Sequence, residues 1–178
     1  MDLFTAIEQR RSIRAYTDQK VAEEQLIKVL EASRISPSWK NLQCCNFIVV
    51  SDRDLMHKIG EATGFNPDQT SYDKATYLLV LCADPAKSGD FCNKQYYLVD
   101  SGIYMEHAVL AAQSLGLSTC WIGAFPEEKI KPLLGVPDHI RIVAMTPLGY
   151  ANQTRKGRKT KSLQEFAYEN AWERPLKL

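Results

Sequence analysis

The stretch LVDSGIYMEHAVLAAQSLGLSTCWIGAF, residues 98–125, combines the longest helical pattern of the chain with the strand that follows it. Gly116 is typical of a left-handed helix end, and the pattern predicts a helix over residues 94–115. LSTCWIG, residues 117–123, then predicts a strand. The small and apolar positions that share one face of this helix are Leu98, Ser101, Gly102, Met105, Ala108, Val109, Ala112 and Leu115.

Apolar runs on either side of this stretch predict further strands. These runs are NFIVVS at 46–51, YLLVLCA at 77–83 and HIRIVAMTPLGY at 139–150. Helical patterns lie between them, over residues 2–9, 22–35, 52–63 and 126–136. Strands separated by helices indicate an α/β or an α+β fold. A length of 178 residues predicts one domain with a core of its own.

Composition narrows the class of protein. Lysine and arginine number 22 against 21 acidic residues, a net charge of +1, so no overall charge favours nucleic acid or a membrane surface. No apolar run approaches the ~18 residues of a membrane-spanning helix, and we expect a cytoplasmic protein. The five cysteines form no zinc or thioredoxin spacing; the adjacent Cys44 and Cys45 are either buried small side chains or a redox pair.

Three polar clusters could bind a ligand. QRRSIRAYTD at 9–18 is rich in arginine, PSWKNLQ at 37–43 is polar, and residues 155–161 form a second basic run. The planar guanidinium of arginine binds phosphate through two hydrogen bonds, although the arginines could equally form a solvated helix end. The chain has no GxGxxG, GxxxxGK[ST], HExxH or GxSxG pattern, which excludes the standard nucleotide and hydrolase motifs.

The final segment, residues 151–178, changes from basic to apolar along its length. Its apolar side chains need a surface to cover, either on a neighbouring subunit or on the same chain. The side chains concerned are Leu163, Phe166, Tyr168, Trp172 and Leu176.

Five pieces of the sequence follow one another along the chain. They are RRSIRAYTD, SPSWKNLQ before a FIVV strand, the stretch at 98–125, the PLGY strand end and a basic tail before SLQEF. Taken in order, they resemble the nitroreductase family of FMN-dependent oxidoreductases. The resemblance covers nearly the whole chain. It implies an α+β fold in which a central, mostly antiparallel sheet is flanked by helices. It also implies a single FMN-binding domain over 1–178 and an intertwined homodimer, with the 151–178 arm exchanged onto the partner subunit.

The resemblance further implies an FMN site shared by the two subunits. Arg14 is expected beside flavin N1 and the C2 carbonyl, where its charge stabilises the reduced flavin anion. Gly123 is expected to bring a backbone N–H close to N5, although it could also be an ordinary turn glycine. These two are the predicted catalytic positions. The implied cofactor-binding residues are Arg10, Arg11, Ser12, Arg14, Pro37, Ser38, Trp39, Asn41, Asn66, Ile122, Gly123, Pro147, Gly149, Arg158, Lys159 and Lys161.

Within that set, Arg10, Lys159 and Lys161 are expected at the FMN phosphate, with Arg158 an alternative, and Ser38 and Asn41 come from the other subunit. Asn66 corresponds loosely to an asparagine at the pyrimidine edge. The implied activity is ping-pong hydride transfer from NAD(P)H to a small acceptor such as a nitroaromatic or a quinone. Two alternatives stay open. One is a flavin storage or sensing protein, with Trp39 blocking the ring face, and the other is a specialised relative such as a reductive dehalogenase.

Overall fold

The structure, a computed structural model, describes residues 1–64, 70–154, 157 and 159–176. The helices are α1 (Leu3–Gln9), α2 (Glu23–Arg34), α3 (Arg53–Thr63), α4 (Thr70–Lys74), α5 (Tyr96–Ser114), α6 (Glu127–Leu134) and α7 (Leu163–Phe166). The strands are β1 (Cys45–Val50), β2 (Tyr77–Ala83), β3 (Asp90–Phe91), β4 (Lys94–Gln95), β5 (Ser118–Thr119) and β6 (Arg141–Gly149). Short 3-10 turns cover Trp39–Asn41 and Pro85–Lys87.

One sheet has the strand order β1-β2-β6-β5, and each neighbouring pair is antiparallel. The predicted α+β fold with an antiparallel sheet is therefore confirmed. Helices cover both faces of this sheet. On β2, Leu78 and Val80 pack towards one cluster, whereas Leu79 and Leu81 pack into clusters with α2 and α5. Burial on both faces explains why β2 has a continuous apolar sequence instead of an alternating one.

Helix α5 begins later than predicted, because a two-stranded hairpin precedes it. Phe91 pairs with Lys94, and the intervening Cys92 and Asn93 both have positive φ. The helix ends at Ser114 before a left-handed Gly116, as predicted. The predicted packing face is partly wrong, since Leu98 is 46% exposed. Ser101 is buried as predicted, and the buried face also contains Asp100 and Tyr104, which were not predicted on it.

The predicted strand over 117–123 is also shorter than expected. Only Ser118–Thr119 pairs regularly with β6, and Ile122 adds an isolated bridge to Met145. The interruption has a local cause. Pro147 of β6 has no N–H to donate, and the backbone N–H of Cys120 donates to the Thr146 hydroxyl at 3.0 Å in place of a backbone carbonyl.

Among the described residues, no helix has the length and apolar character needed to span a bilayer.

Candidate functional site

Residues 10–16, the arginine segment, lie along the β5 side of the sheet. Ser12 bridges Thr119 in parallel, and the Ile13 N–H donates to the Thr119 carbonyl at 2.9 Å. Ile13 and Tyr16 are buried while Arg14 is exposed. A cation at the surface therefore lies close to two buried anchors in the sequence.

Tyr16 fixes the far end of the arginine segment. Its ring is fully buried, and its hydroxyl donates to the Ile13 carbonyl at 2.7 Å. Burial raises the pKa of this phenol well above its usual value, so it stays neutral. A Cβ on Gly149 would lie 2.8 Å from the Tyr16 ring, and glycine is therefore required for this close approach. The structure gives Gly149 a packing role in addition to its predicted place beside the flavin.

The same strand edge brings the C-terminal arm, residues 151–178, to the arginine segment. The N–H of Asn152 donates to the Ala15 carbonyl at 2.8 Å, and Gly157 lies about 4.0 Å from the Arg11 guanidinium, measured from an ideal Cβ. Gly157, within the second basic run, therefore lies beside Arg11 of the arginine segment. Lys159 and Lys161, just beyond, are exposed. Arg158 and Asn66 lie outside the described residues.

The arginines differ in what they contact. Arg11 turns back onto the end of α1, where its guanidinium donates to the Arg10 carbonyl at 2.8 Å and to the Glu8 carbonyl. This is the helix-end interaction that the sequence left open as an alternative. Arg10, which ends α1, is half-buried, and Arg14 is exposed. Sequence reasoning missed Gln153, whose amide nitrogen is buried without a hydrogen-bond partner among the described residues.

Three further predicted residues lie on the β5–β6 side of the sheet. Ile122 exchanges two backbone hydrogen bonds with Met145, at 2.8 and 2.9 Å. The next residue, Gly123, is exposed, and a Cβ there would lie 3.3 Å from the Trp121 indole nitrogen. Pro147 is buried within β6. These residues share an edge with the arginine segment, because β5 lies between that segment and β6.

Residues 37–43, the Ser38 loop, occupy a different part of the molecule. The Ser38 hydroxyl accepts from the Gln43 N–H at 3.0 Å, and the Trp39 N–H donates to the Asp100 carboxyl at 2.9 Å. Within the described parts of one chain, hydrogen bonds tie this loop to α5, whereas backbone hydrogen bonds tie the arginine segment to β5 and to the chain after β6. Pro37 and Asn41 are exposed at its surface.

Trp39 does not extend freely from the loop. Its ring stacks on Tyr96 with centroids 5.1 Å apart, and a Cβ on Gly89 would lie 2.3 Å from it. The Lys40 ammonium lies 4.4 Å from the ring centroid. Trp39 is therefore packed against the start of α5 and the base of the β3–β4 hairpin.

The adjacent cysteines at the end of this loop are buried, in agreement with one of the two sequence interpretations. Burial raises the pKa of the Cys45 thiol to about 12, against a weaker opposing effect of its contact with Ser101. Burial likewise raises the pKa of Cys44. Protonated, buried thiols of this kind are poor nucleophiles.

A model of one protein family, described as "Putative TM nitroreductase", matches residues 2–178. The chain belongs to the nitroreductase family. A protein from Archaeoglobus fulgidus named "Putative NADH dehydrogenase/NAD(P)H nitroreductase" is 35% identical over 145 residues, which cover 79% of this nitroreductase-family chain and 80% of that relative. The "FMN reductase [NAD(P)H]" of Bacillus subtilis is 32% identical over 182 residues, covering 92% and 71%.

Solved structures agree with this family assignment. A nitroreductase family protein from Clostridium novyi NT superposes with a TM-score of 0.81 at 35% identity, covering 98% of this nitroreductase-family chain and 97% of the other. The similarity in fold therefore extends over both regions described above, the arginine segment and the Ser38 loop.

Proposed function

We propose that this member of the nitroreductase family is an FMN-dependent oxidoreductase that takes hydride from NAD(P)H and delivers it to a nitroaromatic, a quinone or a related small acceptor by a ping-pong mechanism. The family and the names of its relatives support an oxidoreductase that uses FMN and NAD(P)H. The observation that carries the proposal is the meeting of the arginine segment and the basic arm at one edge of the sheet.

The residues at this edge fit FMN. A phosphate is bound by cations and N–H donors. Arg10 belongs to the arginine segment, and Lys159 and Lys161 belong to the C-terminal arm that meets it. The buried Gln153 amide nitrogen is a further donor whose hydrogen bond is not satisfied within the described residues. Arg158, in the same run, is an additional phosphate candidate.

Arg14 and Gly123 would act at the flavin ring. Bound FMN supplies hydride chemistry at N5. The exposed Arg14 guanidinium stabilises negative charge at the N1 and C2 carbonyl edge, because a fixed cation favours the anionic form of the reduced ring. The exposed Gly123 lets its main chain approach N5 closely, since no side chain intervenes. Ser12, Ile122, Pro147 and Gly149 would lie along the flavin ring.

We propose further that the site is completed in a homodimer, in which the arm crosses to the partner subunit. The arm has its own local structure, a bridge between Tyr168 and Pro175 with Trp172 against Tyr168 at 5.0 Å. It nevertheless leaves Leu163, Phe166 and Trp172 exposed at 51%, 75% and 81%. Apolar side chains exposed to this extent favour an interface.

Other exposed apolar side chains support the same homodimer. They lie on α1 and at the start of α5, and they are Leu3, Phe4, Ile7, Leu98 and Val99. In the dimer, Ser38 and Asn41 of one subunit would meet the flavin held by the other, which accounts for the separation of the Ser38 loop from the arginine segment within one chain.

An absorption spectrum with anaerobic titration tests the function. The purified protein, supplied with FMN if needed, should show a bound-flavin band that NADH or NADPH bleaches and a nitroaromatic or quinone restores. Sedimentation of the same sample should give a dimer. A protein that takes up no FMN, or whose bound FMN neither donor bleaches, contradicts the proposal. In the second case the protein would store or sense flavin.

A further inference from the structure

One face of α5 carries polar side chains in a largely buried helix. Asp100, Ser101 and Tyr104 are 2%, 0% and 5% exposed, and His107 follows one turn later at the surface. Positions 100, 104 and 107 lie on the same side of a helix. We call Asp100, Tyr104 and His107 the polar row. A buried carboxyl is costly unless it is hydrogen-bonded, so its partners identify what it does.

Each member of the polar row contacts the chain between α2 and β1. Asp100 accepts from the Trp39 N–H at 2.9 Å through one oxygen and from the Cys44 thiol at 3.6 Å through the other. The Tyr104 hydroxyl contacts the Ser38 side chain. His107 Nδ1 lies 2.7 Å from the Ser36 hydroxyl. One face of α5 therefore contacts the residue just before the Ser38 loop, the first half of the loop at Ser38 and Trp39, and the residue just after it.

The loop that these contacts hold has an unfavourable backbone. Lys40, Asn41 and Gln43 have φ of 50°, 55° and 52°. Asparagine tolerates this left-handed region, but lysine and glutamine do so at a cost of about 1 kcal/mol or more each. Hydrogen bonds within the loop, from the Gln43 N–H to the Ser38 hydroxyl and from the Gln43 amide to the Asn41 side chain, support this conformation. The contacts from α5 add to them and fix the loop to the rest of the molecule.

We propose that Asp100 is a positioning residue for the cofactor site, which holds the Ser38 loop in the strained conformation that presents Ser38 and Asn41 to the flavin of the partner subunit. This inference rests on the proposed function. Asp100 is suited to the role because one carboxyl joins the backbone at the start of the turn to the thiol just beyond its end. His107 acts in the same way, and more weakly, through Ser36.

Replacing Asp100 tests the inference through FMN affinity. The Asp100→Ala variant should raise the dissociation constant of FMN, measured by flavin fluorescence on the full-length dimer, by about tenfold or more, because a buried charged acceptor is lost. The visible circular dichroism of bound FMN should change as well. Asp100→Asn keeps an acceptor for the Trp39 N–H and should restore most of the affinity.

Ser101→Ala is the matched control. Ser101 is equally buried on the same helical turn, but its hydroxyl contacts the Tyr97 carbonyl at 2.7 Å and Cys45, and not the Ser38 loop. It should lower thermal stability while leaving FMN affinity within about twofold of the wild type. Equal losses in Ser101→Ala and Asp100→Ala would reduce Asp100 to a general structural residue and overturn the inference.

His107→Ala provides a second test that does not depend on tolerance of a buried substitution, since His107 is exposed. It should weaken FMN binding by about threefold, as expected for one neutral hydrogen bond. If both His107→Ala and Asp100→Ala bind FMN as tightly as the wild type, this inference is wrong while the proposed function stands. If Asp100→Ala does not fold, unchanged FMN affinity in His107→Ala is enough to overturn the inference. A wild-type protein that binds no FMN overturns the proposed function, and this inference with it.

Discussion

The arginine segment and the Ser38 loop, the two regions that the proposed site joins, are held by different kinds of interaction. Backbone hydrogen bonds fix the arginine segment to β5 and to the chain after β6. Side chains of α5 fix the loop. The segment is anchored further by its own buried side chains, Ile13 and Tyr16, whereas the loop depends on particular residues of another element. Substitutions of exposed residues in the arginine segment should therefore change ligand binding, and substitutions of the α5 residues should change the conformation of the Ser38 loop.

The largest effect is expected from removing the arm. Deleting residues from Ser162 onward should abolish stable dimers and FMN retention together, because the two regions would no longer meet across the interface. Sedimentation and flavin content measure both. The Phe166→Ala substitution, at a single exposed position of the arm, should lose only part of either property. A truncated monomer that keeps its full complement of FMN would show that one chain suffices.

A substitution at Gly149 tests how firmly the arginine segment is fixed. Gly149→Ala should destabilise the protein by about 2 kcal/mol and lower Tm by about 4–8 °C, because its Cβ would meet the buried Tyr16 ring. Thermal unfolding measures the change. Gly102→Ala is a control in a helix, where a Cβ meets nothing within 4 Å. If Gly149→Ala unfolds at the wild-type temperature, close packing under Tyr16 is not what holds the segment.

A substitution at Arg14, in the same segment, should change the properties of bound FMN without changing the stability of the protein. Arg14→Ala should lower the two-electron potential of bound FMN by about 30 mV, the equivalent of losing one charge-assisted hydrogen bond. Its Tm should change little, because the side chain is exposed. Redox titration measures the potential, and the potential of Arg14→Lys should stay close to that of the wild type. An unchanged potential in Arg14→Ala would remove this residue from the flavin edge.

The smallest effect concerns the thiol at the end of the Ser38 loop. Burial raises the pKa of Cys45 to about 12 from an unfolded value near 9.0, so the folded state keeps a proton that the unfolded state loses. The resulting stability is fully present well below pH 9 and is lost as pH rises towards 12, by about 1 kcal/mol between pH 8 and 9.5.

Denaturant unfolding across that pH range measures the loss. Cys45→Ala should flatten the profile by this amount, and the exposed Cys92→Ala should leave it unchanged. An identical slope in Cys45→Ala and the wild type would mean that the thiol is not shielded by the packed end of the loop.

Much of the fold could be predicted from local patterns. The continuous apolar run of β2 and the glycine stop after α5 agree with the structure almost residue by residue. The predicted helix over 52–63 agrees with α3, which Asp52 caps by accepting from the Leu55 N–H at 2.8 Å. The β3–β4 hairpin was missed because its turn is Cys92-Asn93, without the usual asparagine-glycine pair. The break in the strand after Thr119 was missed because it depends on Pro147 of another strand.

In the candidate site, too, some features could be predicted from local sequence and others depend on distant residues. The cationic character of residues 10–14 and of the arm is visible in the sequence, and the assignment of these residues to FMN stays a prediction. The buried amide of Gln153 and the contacts of Asp100 were not visible, because neither follows a local period. Both depend on which side chains long-range packing brings together.

By itself the sequence determined most elements of the core and the presence of two basic clusters, because helical and strand periods and charge are local properties of the chain. The antiparallel sheet was predicted only through the resemblance to a family. Only the tertiary structure decided that those clusters begin side by side and that a carboxyl of α5 holds a strained loop elsewhere. The physical reason is that hydrogen bonds and close contacts between distant residues depend on how whole elements pack, and no local pattern encodes that packing.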